Sequence, residues 1–581
     1  MTRITGGTII DGTGRPAFVG DVLVDGDRIV DIIPNVQTPE HPNIQTSKHP
    51  NAPTPEHPNV PTIDATGCLV TPGFIDAHTH SDAYLVIEPD APSKITQGVT
   101  TEINGMCGGS VTPRYGEARL SSDWAAILGE RLTWHSLGEY REVLAQAKPA
   151  VNTVQFIGHN TLRSSVVGYA GRPSDPLELE QMKYLLEEAL GEGGWGLTTG
   201  LIYQPGKYAT NEEVVELARV TARCDGFYAT HMRSESSRIL EAIDEVIDLV
   251  RDTGIRAEIS HLKTSGRANW NKIDQVIETI GDAVRNGILL GSDRYPFCAS
   301  GTDLDIVLPD WAQEGAAKAE CERLADPATR RRIIDEIDAQ SRDWSTVMIG
   351  GTWHADNKPY SGKTVSEILQ SIGQSNNPSI CQSVNRTISQ SVNQSISQSN
   401  NRTIEQSNNR TLSPGSLVCD ILAKDGCKTG AFFFVMNERN LDKILAQPWI
   451  VPGSDASLRA PWGPLAADHP HPRAYATMPE FYRRLRQNPL LAESERTREK
   501  VIARMTSVPA KRFGLKGRGV LEKGAFADLV VWKEDEFAIK STFDNPHQFT
   551  SGVRCVMVNG AVPYADGKFT GNRSGRFLER N

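Results

Sequence analysis

Two histidines one residue apart, His78 and His80, close the stretch Gly73-Phe74-Ile75-Asp76-Ala77-His78-Thr79-His80. The apolar run Leu69 to Ile75 before them reads as a buried strand. A strand points residues i and i+2 to the same side, so both imidazoles are expected to emerge together at its C-terminal end. Two imidazoles converging there can hold a divalent metal such as zinc. An HxH pair alone carries little weight, because histidines often only hydrogen-bond. Four further donors strengthen the reading, each also at the end of an apolar run: Cys107, His231, His261 and Asp455. Brought together, four imidazoles, a thiol and a carboxylate make a metal-ligand set.

Hundreds of residues separate these donors, so regular elements must bring them together. The centre of the chain alternates strand-like runs with amphipathic helical ones, such as Asn211 to Arg223 and Ser237 to Arg251. Strand-like runs end near His78, Cys107 (100–106) and His159 (153–158), and recur at 195–201, 227–231, 256–261, 288–295 and 450–455. Such alternation implies a parallel sheet, and eight repeats imply a (β/α)8 TIM-like barrel with its chemistry at the C-terminal strand ends. Both chain ends instead alternate as short strands with Asp-Gly and Asn-Gly turns between them. The expected fold class is therefore α/β: a barrel with a small β-sandwich formed from both termini. The expected boundaries are 1–71 and 505–581 for the two parts of the sandwich and 72–504 for the barrel. Two inserts interrupt this plan. One, about 36–62, repeats Thr-Pro-Glu-His-Pro-Asn; the other, about 371–412, is built from units such as Gln-Ser-Asn-Asn and Asn-Arg-Thr-Ile. Prolines in the first and unrelieved polarity in the second imply disordered surface loops.

Composition narrows the function classes. The net charge of -10 leaves no basic footprint for nucleic acid. No apolar stretch is long enough to cross a bilayer, and the N-terminus lacks the apolar core of a secretory signal. Nine cysteines, odd in number and without a CxxC pair, argue against a disulfide framework. A cytoplasmic protein acting on a small molecule, without membrane or nucleic-acid partners, is expected; oligomeric state is not legible.

The chain resembles the amidohydrolase superfamily and, within it, the N-acyl-D-amino-acid deacylase (D-aminoacylase) family. The motifs that carry this are Pro72 to His80, Gly158-His159-Asn160-Thr161-Leu162-Arg163, Gly194 to Leu201, Ser260-His261-Leu262-Lys263, Leu308 to Gly315, His471-Pro472-Arg473 and Lys511 to Gly519. The resemblance spans nearly everything but the two inserts. The superfamily usually places a carboxylated lysine on its fourth strand, and Gly194 to Leu201 has none. In the deacylase branch a cysteine on the second strand takes its place, and Cys107 matches it. The resemblance then implies a tight zinc site of Cys107, His231 and His261, and a weaker second one of His78, His80 and Asp455. It also implies hydrolysis of an N-acyl-D-amino acid to a carboxylate and a free D-amino acid. Metal-activated water attacks the acyl carbonyl, and Asp455 serves as general base and then acid. Lys263, Tyr295 and Arg473 match family residues that bind the substrate carboxylate. The family's Ala-Gly-Ser-Thr reads Ala299-Ser300-Gly301-Thr302 here, which leaves Ser300 or Thr302 to supply a hydroxyl. The family's more frequent Ser-Asp-Gly reads Ser454-Asp455-Ala456. Two alternatives stand beside this reading. One is a cyclic-amide hydrolase of the dihydroorotase or hydantoinase type. The other is an inactive scaffold that binds partners through its low-complexity loops.

Overall fold

A computed structural model describes residues 1–35, 61–118, 122–375 and 412–580. The expected inserts lie mostly outside these residues. At their edges, Thr62 opens the strand Thr62–Asp64, and residues 371–375 complete the helix Val365–Ser375, so ordered structure runs further than the 371 boundary. The chain divides into two compact units: residues 1–298, 436–466 and 472–581, and residues 299–435 with 467–471.

The first unit is built around parallel strands. One three-stranded sheet runs in the order Phe74–Asp76, Val99–Asn104, Asn152–Gln155. A six-stranded sheet runs in the order Ile157–Gly158, Gly196–Gly200, Phe227–His231, Arg256–Ile259, Leu290–Arg294, Ile450–Pro452. Backbone hydrogen bonds join the two sheets at both margins. Only Phe156 separates Gln155 from Ile157, and the Trp195 N–H donates to the Gln155 carbonyl at 3.0 Å. At the far side the Ala77 N–H donates to the Pro452 carbonyl at 3.0 Å, and Thr79 bridges Ala456 in parallel.

Local sequence accounts for most element ends. Helix Asn211–Arg223 starts where Thr210 accepts from the Glu213 N–H, and it buries Val214, Leu217 and Ala218 at helical spacing. Helix Ile239–Thr253 begins later than its periodicity predicts and stops at Gly254, whose φ of 69° suits glycine. The run Leu69 to Ile75 is not one strand. It splits at Gly73 into Leu69–Pro72 and Phe74–Asp76, which belong to different sheets. A Cβ at Gly73 would stand 2.0 Å from Thr100 Oγ1, so only glycine passes there.

Both termini share one nine-stranded sheet, drawn from residues 2–72 and 529–569. Ile4, Val22 and Ile29 pack in one apolar cluster with Leu529, Val531 and Met557. The expected boundary at 505 falls just before a helix. Helix Ser507–Phe513 puts Ala510 and Phe513 against Ile75, Ile103, Val154, Phe227 and Val451 of the parallel strands. The last residues also leave the terminal sheet, with the Leu578 N–H donating to Thr153 O at 2.8 Å. Both segments follow the apolar surface left open under the strands.

The second unit falls within the expected span 72–504. It has its own antiparallel sheet, in the order Ser300–Asp303, Gly430–Phe433, Val347–Ile349. Its own apolar cluster includes Leu304, Ile333, Val365, Leu417, Leu422 and Phe433. Among the described residues, no helix is long and apolar enough to cross a membrane.

Candidate metal centre

Five of the six proposed ligands follow directly from strand ends. His78 lies two residues beyond Phe74–Asp76, Cys107 three beyond Val99–Asn104, His231 ends its strand, His261 lies two beyond Arg256–Ile259, and Asp455 three beyond Ile450–Pro452. His80 follows His78 by two.

Cys107 Sγ stands 3.3 Å from His78 Nε2 and 3.2 Å from His261 Nε2. Asp455 Oδ1 lies 3.1 Å from His80 Nε2 and 3.5 Å from His78 Nε2. Ligand atoms of His78, Cys107, His261 and Asp455 all fall within 4.8 Å of one another, as do those of His231, Glu235 and His261. The His231 and His261 ring centroids are 4.5 Å apart. Cys107 thus lies against an imidazole of each expected group, His78 and His261. Cys107, His261 and Asp455 adopt left-handed backbone, with φ of 53°, 37° and 49°. Such conformations cost about 1–3 kcal/mol each and persist where surroundings over-determine them. Ala456 is not among the positive-φ residues, so the turn after Asp455 accommodates it without glycine.

Carboxylates orient the rings from behind. Asp293 Oδ2 meets His78 Nδ1 at 3.1 Å, and Asp293 Oδ1 accepts from the His261 backbone N–H at 2.9 Å. Glu235 Oε1 lies 3.0 Å from His261 Nδ1, and Glu235 Oε2 3.4 Å from His231 Nε2. These leave the Nε2 atoms of His78 and His261 facing the sulfur, the arrangement in which an outer carboxylate fixes tautomer and ring plane.

The electrostatics favour a thiolate. Burial opposes ionisation of Cys107, yet His78 and His261 hold its thiol well below the ordinary range. Burial likewise opposes charge on His80, but Asp455 and Cys107 raise it to about 9. For His261, burial and Lys263 act downward while Cys107, Asp455 and Glu235 carry it to about 10. Asp455 is held well below the carboxylate range, against its burial, by Arg473, His261 and His80. A divalent metal would take the place of the protons on these imidazoles. His231 supports that fit: it is buried, and neither ring nitrogen makes a well-aligned hydrogen bond among the described residues. Soft sulfur with imidazole and one carboxylate suits zinc.

The expected substrate contacts are placed less simply. Lys263 Nζ donates to Glu235 Oε1 and meets His261 Nδ1 at 2.8 Å. Arg473 Nη1 lies 2.8 Å from Asp455 Oδ2. The Tyr295 ring lies between two guanidinium groups, Arg294 at 4.0 Å and Arg473 at 4.6 Å. Ser300 opens a strand of the second unit. His159 bonds Glu213 at 2.8 Å, away from the ligand set. Glu235 and Asp293 were not legible as site residues. Asp293 sits inside a strand-like run whose end could have flagged it, whereas Glu235 lies in a loop without periodicity.

The sequence matches the amidohydrolase family over residues 61–354 and 435–564. It is 30% identical to a D-aminoacylase of Alcaligenes xylosoxydans xylosoxydans, over 99% of this chain and 97% of that protein. It is 28% identical to an N-acyl-D-glutamate deacylase of the same organism, over 100% and 96%. The crystal structure of the N-acyl-D-glutamate deacylase from Bordetella bronchiseptica, complexed with zinc and a phosphonate inhibitor, superposes with a TM-score of 0.75 at 28% identity, covering 100% of this chain and 99% of that one. These matches show that the chain belongs to the amidohydrolase family, in its N-acyl-D-amino-acid deacylase branch.

Proposed function

We propose that this chain is a zinc-dependent hydrolase that cleaves the amide bond of N-acyl-D-amino acids. The observation that carries this is Cys107 Sγ within 3.3 Å of two ring nitrogens, His78 Nε2 and His261 Nε2. His231 and His80 extend the set, and Asp455 supplies its carboxylate. A metal bound by these residues would supply Lewis acidity, polarising the acyl carbonyl and lowering the pKa of water to about 7.

The remaining steps fall to the protein's own groups. Asp455, kept ionised by Arg473 and His80, accepts a proton from the attacking water and returns it to the departing nitrogen. Without that return an amine anion would have to leave. Lys263, Tyr295 and Arg473 form the cradle for the substrate's α-carboxylate, and Arg473 is suited to hold it in a fork. Glu235 keeps the Lys263 ammonium beside His261. Asp293 and Glu235 hold the rings in register. We read the two margin-joined parallel sheets as one (β/α)8 barrel and the terminal sheet as a sandwich closed on its shared apolar cluster.

A cyclic-amide hydrolase of the same fold would use a lysine on the fourth strand, and Gly196–Gly200 carries none. The deciding experiment pairs metal stoichiometry with turnover of N-acetyl-D- and L-amino acids and dihydroorotate. Hydrolysis of D-substrates alone is expected, scaling with bound zinc. Turnover of dihydroorotate alone, or none by metal-loaded protein, would overturn the proposal.

A further inference from the structure

Lys94 is fully buried, and lysine is almost never so unless paired. It lies on the short helix Pro92–Ile95, in neither the ligand set nor the substrate cradle. Its ammonium meets Asp76 Oδ2 at 2.9 Å, Ser454 Oγ at 3.0 Å, Ala456 O at 3.1 Å and Glu102 Oε1 at 3.2 Å. Three N–H donors thus serve four acceptors from three separate segments.

Two of those acceptors flank Asp455. Ser454 is gripped through its hydroxyl and Ala456 through its carbonyl. Asp76, which anchors the ammonium, also accepts from the Ser454 N–H at 2.8 Å. Asp455 itself has φ 49° and donates its N–H to His78 O at 2.8 Å. Beyond it, the Leu458 N–H donates to Ser81 Oγ and the Arg459 N–H to Ser93 Oγ, both at 2.9 Å. The loop after the last strand is therefore tied at 454–456, 458 and 459 to the end of the first strand and the segment that follows it, and through the buried Lys94 ammonium to Glu102 of the second. A left-handed aspartate would relax to ordinary backbone if its neighbours were freed, moving its carboxylate off the water it must deprotonate.

We propose that Lys94 is a positioning residue for the hydrolytic step: it clamps the residues on either side of Asp455 and fixes the carboxylate in its working geometry. This rests on Asp455 being the base. Lys94→Met, Ser454→Ala, the double variant and Asp455→Asn are compared for kcat, KM and bound metal with N-acetyl-D-amino acids. A misplacement near 1 Å costs about a hundredfold, so Lys94→Met should lower kcat per metal-loaded site on that scale with KM and metal content near wild type. Ser454→Ala should show a smaller loss in kcat alone, and the double variant should be no worse than Lys94→Met, because both remove the same clamp. Lowered melting temperature with wild-type kcat per loaded site would overturn the proposal, as would a loss traceable to missing metal or raised KM. If Lys94→Met does not fold, Ser454→Ala decides: reduced kcat supports the clamp and wild-type kcat overturns it. An active Asp455→Asn would remove the base assignment and the clamp together, whereas an inactive one with unaffected Ser454→Ala and Lys94→Met would remove only the clamp.

Discussion

At the residue scale, the centre concentrates charge that water would otherwise screen. Cys107 Sγ, 3.3 and 3.2 Å from two imidazole nitrogens, is held toward the thiolate form rather than packed as a small buried hydrophobe. Cys107→Ala should lose both metal and turnover, read by metal analysis and assay on the same sample. Asp455→Asn should cut kcat by about 10²–10⁴-fold while zinc stays bound, the range for a lost general base. Asp293→Asn keeps the shape behind His78 but removes the charge. It should weaken metal affinity by about 10–100-fold, measured by competition with a chromogenic chelator. These three separate ligand, base and supporting roles, because only the second should spare the metal.

At the element scale, the parallel strands depend on what closes them. Phe513, 2% exposed, packs on Phe156 and Phe227 with ring centroids 6.3 and 5.0 Å away. Phe513→Ala should cost about 3–5 kcal/mol of unfolding free energy, measured by urea titration. A second prediction concerns the helix start at Glu213. Burial raises this carboxyl, but His159 and Arg163 outweigh it and hold the pKa at about 2, against an ordinary 4.5. A lowered acid pKa stabilises the fold above the unfolded value and loses that contribution as pH falls from about 4.5 through about 2. Glu213→Gln should therefore destabilise at pH 7 and flatten the acid limb of a stability–pH curve over that window. Element ends were largely legible: Asn211–Arg223 and Phe227–His231 run as their periodicity implies. The break at Gly73 was not, because nothing within Leu69 to Ile75 records that Thr100 crosses against it.

At the scale of the whole molecule, metal and fold are linked. An unfolded chain holds no preformed cluster, so metal binding adds to stability by mass action, about 2.7 kcal/mol at a hundred times Kd. Dialysis against dipicolinate should lower the melting temperature and abolish turnover together, with zinc restoring both. Recovery of stability without activity would separate a structural metal from a hydrolytic one.

The amino-acid sequence alone determined which donors exist and that each ends an apolar run, because strand alternation and chain punctuation are written in neighbouring residues. It also carried the absence of a lysine from the fourth strand and the place of Cys107 after the second. Only the tertiary structure decided that Cys107 lies against an imidazole of each expected group. The same holds for Arg473 on Asp455, for Glu235 and Asp293 behind the rings, and for a buried lysine that clamps a loop 360 positions away. Those pairings are distances between segments remote in the chain, fixed by how the sheets register and close, and no local pattern encodes them.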